Sequence, residues 1–364
     1  MIYLDYQATT PLAPEALDAM LPWLRDSHAN PHSAHAPGRR ARAAVEAARA
    51  DILRLLPPGG RLAFTGGATE ALNWAIKGTA GPIVTLATEH AAVLDTVIAE
   101  RNRGRAVVIL PVNGAGLVDL DRAAEAIRPG TGLVAAMLVN NEIGVVQPIA
   151  ELAELAHAAG ALMLCDASQG YGRVPIPVAC DLVAVSAHKV HGPKGIGALW
   201  LRDGIAPAPL LEGGGQEAPG RSGTLSPALC AGFGAAAQLM AARAREDADH
   251  VDGLWQAARG RLGCAWTLNG SAEQRYRGNL NVRRLGVDVA RLMSDVRGVA
   301  FSVGSACASG SGRPSHVLRV IGLSDAEARA SIRLGFGRYT TQAELMHAID
   351  QINDAAERQT RFAP

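Results

Sequence analysis

Two neighbouring segments carry side chains that can act on one small ligand from opposite sides. In Met163-Leu164-Cys165-Asp166-Ala167-Ser168-Gln169 an acid follows an apolar run. The next apolar run ends in Ser186-Ala187-His188-Lys189 and passes into the glycine-rich His191-Gly192-Pro193-Lys194-Gly195. A lysine amine can form a Schiff base with an aldehyde. A carboxylate facing it can keep a pyridine nitrogen protonated, so that the ring accepts electrons from a substrate carbon. Pyridoxal phosphate needs both groups. A strand-end Asp or Lys on its own is more often half of a surface ion pair, and it is their occurrence together, beside Ser186 and His188 as phosphate donors, that turns the reading. The chain has only three lysines, Lys77, Lys189 and Lys194. Codon bias accounts for so few, yet any reaction that needs a lysine has just these candidates.

An anion cradle precedes them. Phe64-Thr65-Gly66-Gly67-Ala68-Thr69-Glu70-Ala71-Leu72-Asn73 reads as a strand, a glycine turn and a helix start. Backbone N–H groups from Ala68 onward would face a phosphate, and Thr69 adds a hydroxyl. Glycine pairs before helices are common, so this segment gains its meaning from the Ser-Ala-His-Lys run. A third kind of chemistry sits in Val303-Gly304-Ser305-Ala306-Cys307-Ala308-Ser309-Gly310-Ser311-Gly312. No core can be built from residues this small, so Cys307 is expected in an exposed loop. There its thiol would be an accessible, movable nucleophile. Cys165, Cys180, Cys230 and Cys264 lack such a loop and read as packing residues.

The elements that must position these groups follow from hydrophobic period. Pro82–Leu86, Ala106–Leu110, Leu133–Val139, Ala161–Cys165 and Leu182–Ser186 read as buried strands, with helical stretches such as Ile149–Ala159 between some of them. That alternation predicts an α/β fold whose mostly parallel sheet is covered by helices on both faces. An Ala-rich helix is expected over Ala228–Ala248, and Thr340–Glu344 reads as a capped helix start. Gly213–Gly215 and Ser302–Gly312 read as mobile loops. The domain expectation is a large cofactor-binding unit over 16–249 and a smaller α+β unit over 250–364, with residues 1–15 packing on the smaller one.

Composition excludes several classes. With 35 basic and 34 acidic residues the net charge is +1, which offers no nucleic-acid or membrane-surface footprint. Five cysteines without C-x-x-C spacing argue against a disulfide framework and a cysteine-rich zinc site. A reducing, cytoplasmic setting is expected, without a signal peptide, membrane span or metal.

Ten ordered stretches carry a family resemblance. They are Tyr3–Pro11, Asn30–Ser33, Phe64–Asn73, Thr88–His90, Val139–Gly144, Asp166–Gln169, Ser186–Gly197, Arg221–Thr224, Gly304–Cys307 and Arg333–Arg338. Through them the chain resembles, over nearly its whole length, a cysteine desulfurase of the class V aminotransferase-like family, with the fold of the fold-type I pyridoxal-phosphate enzymes and the longer Gly-Ser-Ala-Cys loop. The resemblance implies that Lys189 holds the cofactor, Asp166 faces its ring nitrogen, and His90 stacks on the ring and shuttles protons. It further implies that Gln169 bonds the ring oxygen and that Asn141 contacts cofactor or substrate. Arg333 would clamp the substrate carboxylate, and Thr224 would reach the phosphate of a second subunit, making a homodimer. L-Cysteine would become L-alanine, with sulfur passing from Cys307 to an acceptor protein for iron–sulfur cluster assembly or thiolation. Relatives that feed a cluster scaffold carry a longer tail than this chain, which ends at Pro364, so scaffold docking stays open. An aminotransferase or selenocysteine lyase of the same fold, or a catalytically silent interaction scaffold, are the competing readings.

Overall fold

The computed structural model describes residues 1–217, 220–304 and 314–361. In chain order the strands are β1 (Ile2–Tyr3), β2 (Gly60–Thr65), β3 (Ile83–Leu86), β4 (Val107–Leu110), β5 (Leu133–Met137), β6 (Leu162–Asp166), β7 (Leu182–Ser186) and β8 (Gly197–Arg202). There follow β9 (Thr267–Leu268), β10 (Asn279–Arg283), β11 (Val299–Ala300), β12 (Ser302–Val303) and β13 (Ser331–Gly335). Strands β2 to β8 form one sheet in the order β2-β8-β7-β6-β5-β3-β4. Only β8 runs against the others in that sheet.

Strands β5 and β7 are buried along their whole length, as continuous apolar runs in a parallel sheet must be. Two apolar clusters cover the sheet, one including Phe64, Cys165 and Trp200, the other Trp74, Leu164 and Leu199. Leu164 and Cys165 are adjacent on β6, so alternate side chains of one strand enter opposite clusters. Strand β4 departs from the expected buried run. It is the outer strand beyond β3, and Val108 is 44% exposed.

A separate core gathers Leu254, Leu280, Ile332, Leu334 and Ile349 around the sheet β12-β13-β10-β9. The chain's start belongs to it: β1 pairs in parallel with β11, and Leu4 is fully buried in that core. The helix expected over Ala228–Ala248 is two, Pro227–Ala242 and Ala244–Leu262, broken where Arg243 leaves helical geometry with φ −110° and ψ 12°. Ser302 and Val303, expected in a mobile loop, pair with Arg333 and Ile332 of β13. The expected capped start is present: Thr341 Oγ1 donates to Glu344 Oε2 at 2.7 Å and accepts from Glu344 N–H at 3.2 Å, opening the helix Gln342–Arg361.

Among the described residues no helix is long and apolar enough to cross a membrane, and no cluster of side chains could hold a metal.

Candidate active site

Parallel strands deliver their carboxyl ends to one edge of the sheet, where open α/β folds bind ligands. Here β2 leads into Gly66–Thr69, β3 into Thr88–His90, β5 into Val139–Asn141, β6 ends at Asp166, and β7 leads into Ser186–Lys189. These ends surround a cavity of about 860 Å³ lined by Ala68, Thr69, His90, Asn141, Asp166, Gln169, Ser186, His188 and Lys189. All nine were named from the sequence.

Lys189 is held at the end of a short turn after β7. Its Nζ donates to the carbonyls of Gln7 at 2.6 Å and Ala8 at 2.8 Å. Burial pushes its pKa down to about 8, Arg333 and Arg173 push the same way, and Asp166 opposes them. A neutral amine, the nucleophilic form, is therefore accessible near physiological pH.

Asp166 Oδ1 accepts from Ser168 N–H at 2.9 Å and Ser168 Oγ at 2.5 Å. His90 caps the helix Ala91–Asn102 by accepting Ala92 N–H at Nδ1, 3.0 Å away. In the neutral ring this places the proton on Nε2. Burial lowers the His90 pKa, against the pull of Asp166 and with the push of Lys189, so the neutral form is favoured. His188 is held neutral more strongly. Burial first, then Lys189 and Lys194, push it down to about 4.

The helix Ala68–Gly78 has Gly67 as its N-cap, without a side-chain cap. Its first backbone donors thus have no side-chain acceptor, as an anion site needs, and Thr69, Ser186 and His188 line the same cavity. An aldehyde-bearing phosphate fits this donor set: amine, carboxylate and uncapped helix start share one cavity.

Close packing keeps the cradle in place. A Cβ on Gly197 would lie 2.5 Å from the Val185 carbonyl and 2.7 Å from the Gly67 carbonyl carbon. Gly197→Ala should push the Gly67 turn outward, costing about 1–3 kcal/mol of stability. Thermal unfolding should show a lower midpoint, and equilibrium dialysis should show faster loss of pyridoxal phosphate. Unchanged retention would mean that the turn does not hold the phosphate.

Two named residues, Arg333 and Thr224, do not line the cavity. Arg333 is fully buried and does not line the cavity; its Nη2 donates to Asp5 Oδ1 at 2.7 Å and its Nη1 to the Asn141 carbonyl at 3.0 Å. Thr224 is exposed and also absent from the lining. Cys307 lies outside the described residues, which resume after it at Pro314. The packing assignment is corrected for one cysteine: Cys165, Cys180 and Cys230 are buried, but Cys264 is exposed just after the helix Ala244–Leu262.

Sequence reasoning missed the contribution of Gln7, Ala8 and Thr9, which line the cavity and accept from Lys189, Gln169 and His188 or lie beside them. The stretch Tyr3–Pro11 was matched to the family, but no role was assigned to any residue within it. Glu89 was missed as well. That side chain is fully buried, with Oε1 accepting Met137 N–H at 2.8 Å, and burial raises its pKa well above the usual range, which favours a neutral acid.

The model of the family described as Aminotransferase class-V matches residues 2–347. A mitochondrial cysteine desulfurase of Eremothecium gossypii is 44% identical, over all of this chain and 77% of its own length. The cysteine desulfurase IscS of Rickettsia felis is 40% identical over all of this chain and 93% of its own. Among solved structures, a NifS-like protein superposes with a TM-score of 0.91 at 29% identity, covering 98% of this chain and 99% of its own. SspA in complex with cysteine superposes with a TM-score of 0.84 at 34% identity, covering 94% and 100%.

Proposed function

The chain belongs to the aminotransferase class-V family, and from that premise we propose that it is a pyridoxal-phosphate-dependent cysteine desulfurase, converting L-cysteine to L-alanine. The observation that carries the reading is the meeting of Lys189, Asp166 and the uncapped helix start at Ala68 in one cavity. When bound, the cofactor supplies an electron sink for charge developing on the substrate carbon.

The chain's own residues do the rest. Lys189 would hold the cofactor aldehyde, and its amine, kept largely desolvated, would take the substrate α-proton once displaced. Asp166 would accept the ring N–H. Gln169 would donate to the ring oxygen, and His90 would lie on the ring and carry a proton at Nε2. Ala68, Thr69, Ser186 and His188 would receive the phosphate. Asn141 would touch cofactor or substrate, and Arg333, behind it, would exchange Asp5 for the substrate carboxylate.

Sulfur transfer falls to Cys307. Its thiolate attacks the substrate sulfur, the carbon–sulfur bond breaks with its electron pair left on carbon, and carbon takes a proton as alanine leaves. The persulfide then passes to an acceptor protein, for cluster assembly or thiolation, in a cytoplasmic setting. The test is to add cysteine to the purified protein, follow its visible absorbance, and assay alanine and sulfide together. A colourless protein, or no alanine, would overturn the proposal.

Thr224 is proposed to reach the phosphate bound by a second copy of the chain, which makes the working unit a homodimer. Sedimentation should give a dimer. Mixing Thr224→Ala chains with Lys189→Ala chains should give heterodimers in which one site carries both defects and the other carries neither. Such mixtures should recover up to about half of one dimer's activity per heterodimer, since one intact site remains. A fully active monomer would exclude the arrangement.

A further inference from the structure

A second cavity, of about 190 Å³, lies away from the cofactor site and is lined by residues that include Arg173, Arg275, Arg277, Arg338, Asp247 and Asp252. Its charges do not cancel. Arg338 pairs with Asp247, and Arg277 with Asp252. That leaves Arg173 and Arg275, neither ion-paired among the described residues.

Arg275 is 8% exposed; its Nη groups donate to three carbonyls, Ser271 O at 2.8 Å, Ile143 O at 2.9 Å and Asn279 O at 3.0 Å, and the Trp255 ring centre lies 5.8 Å from its guanidinium carbon. Carbonyls satisfy donors without cancelling charge. Its Nε is buried and has no hydrogen-bond partner. Burial first, then Arg259 and Arg277, lower its pKa to about 10. A buried cation beside like charges is costly unless an anion joins it. His191, also on the cavity wall, brings no compensating charge: burial and Arg173 push it down to about 3, so it is neutral.

We propose that this cavity is a binding site for a small oxyanion of the phosphate class, seated between Arg173 and Arg275. The volume holds about six waters at roughly 30 Å³ each, enough for phosphate.

Arg173 links the site to the catalytic one. Arg173 Nη2 donates to the Lys189 carbonyl, and its Nη1 lies 3.4 Å from both the carbonyl and Oε1 of Gln169. An anion beside Arg173 would cancel part of the charge that presses on the Lys189 amine. Occupancy would then favour the protonated amine and slow turnover at neutral pH. This coupling rests on the proposed role of Lys189; the site itself does not.

The experiment uses holoenzyme reduced with borohydride, so that the cofactor phosphate stays in place, titrated calorimetrically with inorganic phosphate at constant ionic strength. Saturable binding of one phosphate per chain is expected. Arg275→Gln and, separately, Arg173→Gln should weaken it at least tenfold, while Arg245→Gln on an exposed helix surface should not. Two dissimilar variants guard against misfolding of either. Absence of saturable heat, equal binding in both variants, or equal displacement by chloride would overturn the site. Saturable binding that leaves the pH midpoint of the unreduced enzyme's visible band unmoved would overturn the coupling alone. A missing visible band would instead count against the role of Lys189.

Discussion

Cys307→Ser should leave a folded, yellow protein whose spectrum still responds to cysteine but which makes alanine at only a trace of the wild-type rate. The expectation rests on a division of labour. Lys189, Asp166 and His90 line the cavity at strand ends, and in the proposed mechanism the cofactor chemistry falls to them and their neighbours. Sulfur abstraction needs a thiolate, available from a thiol of pKa about 8.5 and not from a serine hydroxyl. Turnover should fall on the order of 10³-fold, about 4 kcal/mol in barrier. Mass spectrometry should find no persulfide on the peptide containing residue 307.

The other four cysteines are controls of two kinds. Cys165, Cys180 and Cys230 are buried, so serine there is expected to act through stability. Cys264 is the sharper control, since it is exposed and Cys264→Ser should change neither folding nor turnover. Alanine formation by Cys307→Ser at the wild-type rate would exclude the desulfurase mechanism and favour a lyase or aminotransferase.

The cavity was legible because its residues stand where short apolar runs end. Asp166 and Lys189 could be placed at one sheet edge from periodicity alone, since consecutive parallel strands must end on the same side. What could not be read was which distant segments close over them. Gln7 meets Lys189 across 182 positions of sequence, through a backbone carbonyl that any residue could supply. Arg333 was named only through the family resemblance, since one arginine in so arginine-rich a chain reads as a solvated surface residue. Its ion pair with Asp5 depends on β1 and β12 meeting neighbouring strands of the smaller core, a matter of topology.

Hydrophobicity likewise could not separate an outer strand from an inner one, which is why β4 was expected to be buried. The break at Arg243 was hidden inside a run of good helix formers, Ala241-Ala242-Arg243-Ala244-Arg245, where propensity favours continuation. Only the tertiary direction of the next helix decides it. Cys264 was read as packing because no small-residue loop surrounds it, yet it follows the end of that helix at Gly263, whose φ of 71° turns the chain out of the helix.

Lys189→Ala should remove the visible absorbance of the bound cofactor, while Lys77→Arg and Lys194→Arg should keep it. Loss of the proton-transfer group alone should lower turnover by roughly 10²–10⁴-fold. The pH dependence follows from the same amine. With its pKa near 8, about a quarter is neutral at pH 7.5, against about a thousandth for an unperturbed lysine. Activity should therefore rise with pH and level off above about 8, falling roughly tenfold per unit well below it. His90 adds no competing limb above its ordinary value, because its pKa is shifted down and the neutral ring is already present there. Burial is the largest cause of the Lys189 shift, and Arg333 and Arg173 follow. Arg173→Gln removes one of these charges without entering the cofactor cavity. It should move the acid limb to higher pH, so that the loss of rate is larger at pH 7 than at pH 9. A limb that stays in place would mean that the rate does not report the Lys189 amine. A limb that moves down would contradict the sign of the interaction between the two side chains.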